Sequence, residues 1–242
     1  MTNPTAAMLV IGDEILSGRT RDANMHYLAN ELTKHGITLK EVRVVSDDRD
    51  AIVDAVNALR STHDTVFTSG GIGPTHDDIT ADCIAAAFNV GIDLRDDARA
   101  LLAAHYATTG AEFNAARQRM ARIPDGASLI DNPISVAPGF TIGNVHVMAG
   151  VPNIFQAMVA SVLPTLTGGD PLLSQTLRIN CGEGEIAGPL SELAADFPDL
   201  SIGSYPFQRD GAYGSNIVIR GTDAGQIDAA MTRLSDRFAG AL

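Results

Sequence analysis

Tryptophan is absent from the 242 residues, and aromatic residues make up only 5% of them. Aliphatic side chains and alanine must therefore fill the core, drawn from a hydrophobic fraction of 45%. Cysteine is scarce: Cys83 and Cys181 lie far apart and match no metal-ligand spacing, which suits a reduced, cytoplasmic protein. Positive charge is short as well. With 17 basic residues against 29 acidic ones, the net charge of −12 argues against a nucleic-acid or anionic-membrane partner. It leaves room for a phosphate at one local site. No long hydrophobic run is unbroken: residues 145–166 are interrupted by Gly150, Pro152, Asn153, Gln156 and Pro164, so a membrane span is not expected. The N-terminal stretch lacks a basic region and a full-length apolar segment, so no signal peptide is expected. Equally missing are a Gly-x-Ser-x-Gly elbow, a Cys/His nucleophile arrangement, a P-loop lysine and the usual metal-binding histidine spacings. Covalent catalysis is disfavoured.

What is present is concentrated in residues 69–80, SGGIGPTHDDIT. A short β-rich run feeds into Gly70-Gly71, a Gly73-Pro74 turn follows, and Thr80 opens an alanine-rich helix. Adjacent glycines let a ligand approach the backbone N–H groups, and the helix start adds partial positive charge. Both suit a phosphate. Asp77 and Asp78 would repel one, and a divalent cation between acid and phosphate reconciles the two. His76 sits in the same loop, where it could activate water, although a solvent-facing role is the commoner one.

Apolar patterning over a first domain of residues 1–168 alternates strands and helices. Strands are expected at 7–11, 42–45 and 66–68, with helices at 24–34, 49–60 and 81–88. Helices at 96–106 and 111–121, short β segments near 129–130, 140–142 and 145–148, and a helix at 153–163 follow. Such an order predicts an α/β fold with a mainly parallel sheet covered by helices on both faces. The Thr167-Gly168-Gly169-Asp170-Pro171 stretch reads as a linker. Residues 169–242 then form a small α+β domain, with strands at 174–179 and 217–219 and helices at 188–195 and 224–238.

Three acidic pairs, Asp13-Glu14, Asp47-Asp48 and Asp77-Asp78, each follow a predicted strand. The carboxyl ends of parallel strands share one edge, where ligands bind. These acids are therefore expected around one crevice beside Gly70-Gly71, with a cation relieving their repulsion. Taken singly, each pair would more simply be a helix cap or a solubilising loop.

These stretches resemble the MoaB/Mog molybdopterin-binding domain, and more closely its CinA-type branch, which includes the equivalent part of eukaryotic FAD synthases. The matching residues are Gly12-Asp13-Glu14-Ile15-Leu16-Ser17-Gly18, Asp22-Ala23-Asn24, Ser46-Asp47-Asp48, SGGIGPTHDDIT, Asn132-Pro133, Ala137-Pro138-Gly139-Phe140 and Gly150-Val151-Pro152. Ser201-Ile202-Gly203-Ser204-Tyr205-Pro206 resembles part of that branch's small domain. The resemblance implies a three-layer α/β/α sandwich, often homo-oligomeric. By this resemblance Glu14, Asp47, Asp78 and Pro152 match positions around the family's pterin-phosphate or nucleotide pocket, and Gly70, Gly71, Gly73 and Thr75 its anion-binding loop. Glu14, Asp47 and Asp78 are accordingly the expected catalytic residues, Asn24 a further expected ligand-binding residue, and Asp13, Asp77 and Asp78 the expected holders of the divalent metal that the acidic pairs call for. Molybdopterin is a further possible ligand. Two departures stand out: Asn153-Ile154-Phe155 replaces a more acidic segment, and the chain stops where full-length CinA proteins continue into a deamidase domain, whose activity is not expected here.

Three functions follow: metal-dependent pyrophosphohydrolysis of a nucleotide diphosphate of the ADP-ribose or FAD type, molybdenum-cofactor biosynthesis, or non-catalytic binding. The transferase branch tends to carry Arg where this chain has Asp77. An anion there favours a metal over direct guanidinium–phosphate contact, and so the hydrolase. In the small domain, a Ser204-Tyr205-Pro206 turn and a glycine-rich loop over residues 180–184 suggest a lid or an oligomer contact.

Overall fold

A computed structural model describes residues 3–209 and 212–241. They fall into two compact units, Met1–Gly169 and Asp170–Leu242.

The first unit begins with β1 (Thr5–Ile11), a four-residue helical turn α1 (Asp13–Leu16), α2 (Asn24–Lys34), β2 (Thr38–Val45) and α3 (Arg49–Thr62). It continues through β3 (Thr65–Ser69), α4 (Thr80–Phe88), β4 (Ile92–Leu94), α5 (Asp96–Thr109) and the single turn α6 (Ala115–Gln118). A 3-10 turn (Arg119–Ala121), β5 (Arg122–Pro124), β6 (Ser128–Ile130), β7 (Gly139–Ile142), β8 (Val145–Met148) and α7 (Pro152–Val162) complete it. The sheet runs β2-β1-β3-β8-β7-β6, parallel across its first four strands and antiparallel beyond.

Every β1 residue from Ala6 to Ile11 is buried, and their alternation builds both layers. Ala7, Leu9 and Ile11 pack with Ile52, Val56 and Leu59 of α3 and Ile84 of α4. Ala6, Met8 and Val10 pack on the other face with Leu28 and Leu32 of α2 and Phe155, Met158 and Val159 of α7. A strand buried on both faces has to be apolar throughout. The result is an α/β/α sandwich. Phe67, Phe140 and Phe155 are the large fully buried aromatics that stand in for the missing tryptophan.

One expected helix is replaced. Residues 111–121 were expected to be helical, but 111–114 form no regular element and only α6 and the 3-10 turn follow. Gly110 ends α5 in the left-handed region (φ 71°). The chain then folds back so that Phe113 stacks on Tyr106, with centroids 5.5 Å apart. Asn114 accepts from the Arg117 N–H, and Gln118 Nε2 donates to the Phe113 carbonyl. These tertiary contacts outweigh the local helix preference of an alanine-rich stretch.

The second unit consists of β9 (Leu173–Ile179), α8 (Glu183–Asp196), β10 (Ser201–Arg209), β11 (Ala212–Gly221) and α9 (Ala224–Arg237), with sheet order β10-β11-β9. Its core joins Ile179, Ile217 and Ile219 to Ile186 and Leu193 of α8 and Ile227 and Leu234 of α9. The expected Ser204-Tyr205-Pro206 turn is instead the middle of β10, with Pro206 paired to Ser215. An edge strand tolerates proline because one N–H row pairs with nothing. The expected 180–184 loop is also shorter, since α8 starts at Glu183, where Glu183 and Glu185 favour a helix N-terminus. Gly184, Gly188 and Pro189 conceal that start in the sequence.

Among the described residues, no helix is long and apolar enough to cross a membrane.

Candidate functional site

The carboxyl ends of β1, β2 and β3 are neighbours, and the three loops leaving them carry the acids. Glu14 lies in α1, Asp47 follows β2, and Asp77 and Asp78 lie between β3 and α4. Glu14, Asp47, Asp77 and Asp78 line one lobe of a cleft, of about 360 Å³, together with Arg19, Thr20 and Gly71. A second lobe, of about 510 Å³, shares Glu14, Thr20, Gly71 and Asp78 with the first. Its walls are largely apolar, supplied by Ile72, Pro74, Met120, Pro138, Val151 and Ile154.

The glycine loop is shaped by close packing. Gly70 ends β3 with φ 113°, and a side chain there would come within 2.2 Å of the Ile11 carbonyl oxygen. Gly150 presses on the other side, where its own Cβ would lie 3.3 Å from Gly70 Cα. Gly71 is left-handed at φ 67°, and a Cβ would lie 2.2 Å from Thr80 Oγ1. That hydroxyl donates to the Gly70 carbonyl at 3.0 Å, tying the loop to the first turn of α4. Gly73 passes against the Asp78 carboxylate, which would lie 2.6 Å from an added Cβ.

Asp78 Oδ2 accepts from the Thr75 N–H at 2.8 Å and from the Thr75 hydroxyl at 2.6 Å. Thr75 thus braces the acid and lines neither lobe. Asp47 Oδ2 accepts from the Asp13 N–H at 2.9 Å. Burial pushes the Asp47 carboxyl above the usual carboxylate range; the Asp13 N–H opposes this, while the charges of Asp13, Glu14 and Asp77 push it further up. Asp48 instead caps α3, accepting from the Ala51 N–H. His76 is fully exposed beside Asp77.

The expected site residues therefore divide. Glu14, Asp47, Asp77, Asp78, Gly70, Gly71, Gly73 and Pro152 line the cleft. Asp13, Asn24 and Thr75 do not. Asp13 meets Asp47 through its backbone, and Asn24, 3% exposed, donates to Ser69 Oγ and the Gly150 carbonyl. Asn24 thereby holds the ends of β3 and β8 at the cleft floor. Among the described residues, no three His, Cys, Asp or Glu side chains stand close enough to cage a metal unaided.

Arg19, Thr20, Arg119, Met120 and the Asn132–Pro138 wall stand in or beside the cleft without having been expected as site residues; Asn132-Pro133 and Ala137-Pro138 entered only through the family resemblance. Asn132 organises that wall: its Nδ2 donates to Ser135 Oγ and the Ala137 carbonyl, and its Oδ1 accepts from the N–H groups of Ile134 and Ser135. Within this turn Val136 adopts φ 65°, a strained setting for a β-branched residue. The Asn132-Pro133 and Ala137-Pro138 pairs were the available signal for it.

Residues 7–168 match the family described as "Probable molybdopterin binding domain", and residues 171–242 match "FAD synthase, middle domain". A Caenorhabditis elegans protein named probable FAD synthase is 32% identical over 98% of this chain and 50% of its own length. This chain thus spans half of that relative. A CinA-like protein of Citrifermentans bemidjiense is 36% identical over 67% of this chain and 40% of the relative. The crystal structure of CinA from Thermoplasma acidophilum, described as of unknown function, superposes with a TM-score of 0.62 at 32% identity, covering 68% of this chain and 99% of that one.

Proposed function

This chain belongs to the family of probable molybdopterin-binding domains, and on that premise we propose that it is a metal-dependent pyrophosphohydrolase of a nucleotide diphosphate of the ADP-ribose or FAD type. One observation carries the reading: an apolar lobe and a four-carboxylate lobe meet at the Gly71 loop and share Asp78. The apolar lobe suits a flat ring, and its volume falls in the range of ligand pockets. The loop at the junction suits a diphosphate. The acidic lobe suits a hard divalent cation of the magnesium type, which takes one or two carboxylates and completes its shell with phosphate oxygens and water. That requirement agrees with acids that converge without forming a closed cage. It also agrees with the Asp47 carboxyl, raised first by burial and then by the charges of Asp13, Glu14 and Asp77 around it.

Asp78 and Asp47, both half-buried, would hold the ion, with the exposed Glu14 and Asp77 beside them. When bound, such an ion neutralises diphosphate charge and lowers the pKa of a bound water. Thr75 fixes the Asp78 carboxylate, and Asp13 fixes Asp47 through its N–H. The relative named probable FAD synthase supports a nucleotide-type ligand.

Molybdopterin binding is the second reading, favoured by the family description and by the same pairing of ring-sized lobe and phosphate loop. Incubating the purified protein with ADP-ribose, FAD or molybdopterin, with magnesium, manganese or EDTA, separates them. Metal-dependent release of nucleoside monophosphate supports hydrolysis. Tight molybdopterin binding without turnover of any diphosphate would replace it.

A further inference from the structure

Arg119, in the 3-10 turn, stands beside the glycine loop with its guanidinium almost uncommitted. It lines neither lobe itself, but a small cavity of about 20 Å³ whose other walls include Gly71, Gly73, Asp78 and Met120, which also line the apolar lobe, and the Asp82–Arg122 pair. Among the described residues its side chain makes one hydrogen bond, a long 3.4 Å donation from Nη2 to the Asp78 carbonyl. Its Nε is shielded from solvent and has no partner. No described carboxylate pairs with Arg119, whereas Arg122 is committed to a bidentate pair with Asp82 at 2.7 and 2.6 Å. In a chain with 29 acids and 17 bases, an unpaired guanidinium beside a cluster of carboxylates is conspicuous. A shielded, unmatched N–H is unfavourable unless something else accepts from it. The cavity has room for about one water-sized group, so a single oxygen atom fits.

We propose that Arg119 is the phosphate-binding cation of this cleft. Its guanidinium donates to an oxygen of the ligand's diphosphate that reaches past Gly71 and Gly73 from the apolar lobe into the small cavity. The diphosphate is then held by this guanidinium and by the cation on the carboxylates. The ring end is thereby directed into the apolar lobe. This assignment rests on the diphosphate reading of the cleft, but its test does not require turnover.

Calorimetric titration of inorganic pyrophosphate in magnesium buffer provides that test. Arg119→Met should weaken binding about tenfold or more, the loss expected for one charge-assisted pair. Arg119→Lys, which keeps the charge and loses the fork, should recover part of it. Arg60→Met, which removes a donation to the Ala87 carbonyl and a contact over the Phe88 ring away from the cleft, should lower the melting temperature and leave pyrophosphate affinity unchanged. Equal affinity of folded Arg119→Met and wild type would overturn the assignment. So would an equal loss in Arg60→Met, which would trace the effect to lost stability, or failure of the wild type to bind pyrophosphate. Should Arg119→Met not fold, the Arg119→Lys comparison decides by the same criterion. Absence of ADP-ribose and FAD hydrolysis by the wild type would end the hydrolase reading alone, and Arg119 would stand if pyrophosphate affinity still tracked it.

Discussion

Replacing Asp78 by Asn is the sharpest test of the acidic lobe, because the structure separates its effect on the fold from its effect on chemistry. The carboxylate has a local duty: Oδ2 accepts two hydrogen bonds from Thr75, one from the N–H and one from the hydroxyl. An asparagine oxygen can occupy the same place and accept both. Charged acceptors are worth roughly 1.5–3 kcal/mol and neutral ones roughly 0.5–1.5 kcal/mol, so the loss should be about 1–2 kcal/mol. In a chain of this length that lowers the melting temperature by about 2–8 °C. The chemical effect should be far larger. Outer partners of metal ligands already cost about 10–100-fold when removed, so a direct ligand should cost at least about 100-fold in kcat/KM. The assay is ADP-ribose and FAD hydrolysis across a magnesium or manganese titration, with thermal unfolding measured on the same samples. A folded Asp78→Asn protein with wild-type kcat/KM would refute the metal and catalytic role. It would leave Asp78 as the closing residue of a turn.

Asp47→Asn should raise the melting temperature of the metal-free protein near neutral pH. The native carboxyl has a raised pKa, so its penalty operates above that value and fades as pH falls through it toward the ordinary range. Differential scanning fluorimetry at pH 7 and pH 4 should show the gain at the first pH and little at the second, and magnesium should stabilise the wild type more than the variant. His146, buried and hydrogen-bonded to Thr141, is pushed down to about 4 by burial. The unfolded chain takes up the proton first, so stability present above about pH 6.5 should decline toward pH 4, by ~3 kcal/mol at most. Urea unfolding from pH 7 to pH 4.5 should show this slope, flattened in His146→Leu. Gly70→Ala meets both a φ of 113° and the Ile11 carbonyl at 2.2 Å, so it should cost about 3 kcal/mol or more, read as a lower urea midpoint. Val136→Asn should do the opposite, by up to ~1 kcal/mol, since Asn tolerates the left-handed region better.

Strand–helix alternation over the first unit was legible from sequence because β1 is apolar at every position, and α2, α3 and α7 repeat apolar residues at helical spacing. Those are local patterns, and local patterns report which faces are buried. The convergence of Glu14, Asp47 and Asp78 followed from topology alone, since parallel strands deliver their exits to one edge. Other features depended on partners distant in sequence. Phe113 stacking on Tyr106 broke the expected 111–121 helix, and an edge position allowed Pro206 into β10. Gly70 reads locally as a ligand-approach glycine, yet the Ile11 carbonyl and Gly150 leave it no room for a side chain. Asn24 and Thr75 carry polar groups suited to a ligand, and the fold turns them onto Ser69, Gly150 and Asp78. Arg119 gives no signal in one dimension; it matters because folding brings a guanidinium, without an acid to neutralise it, to a loop 41 residues upstream.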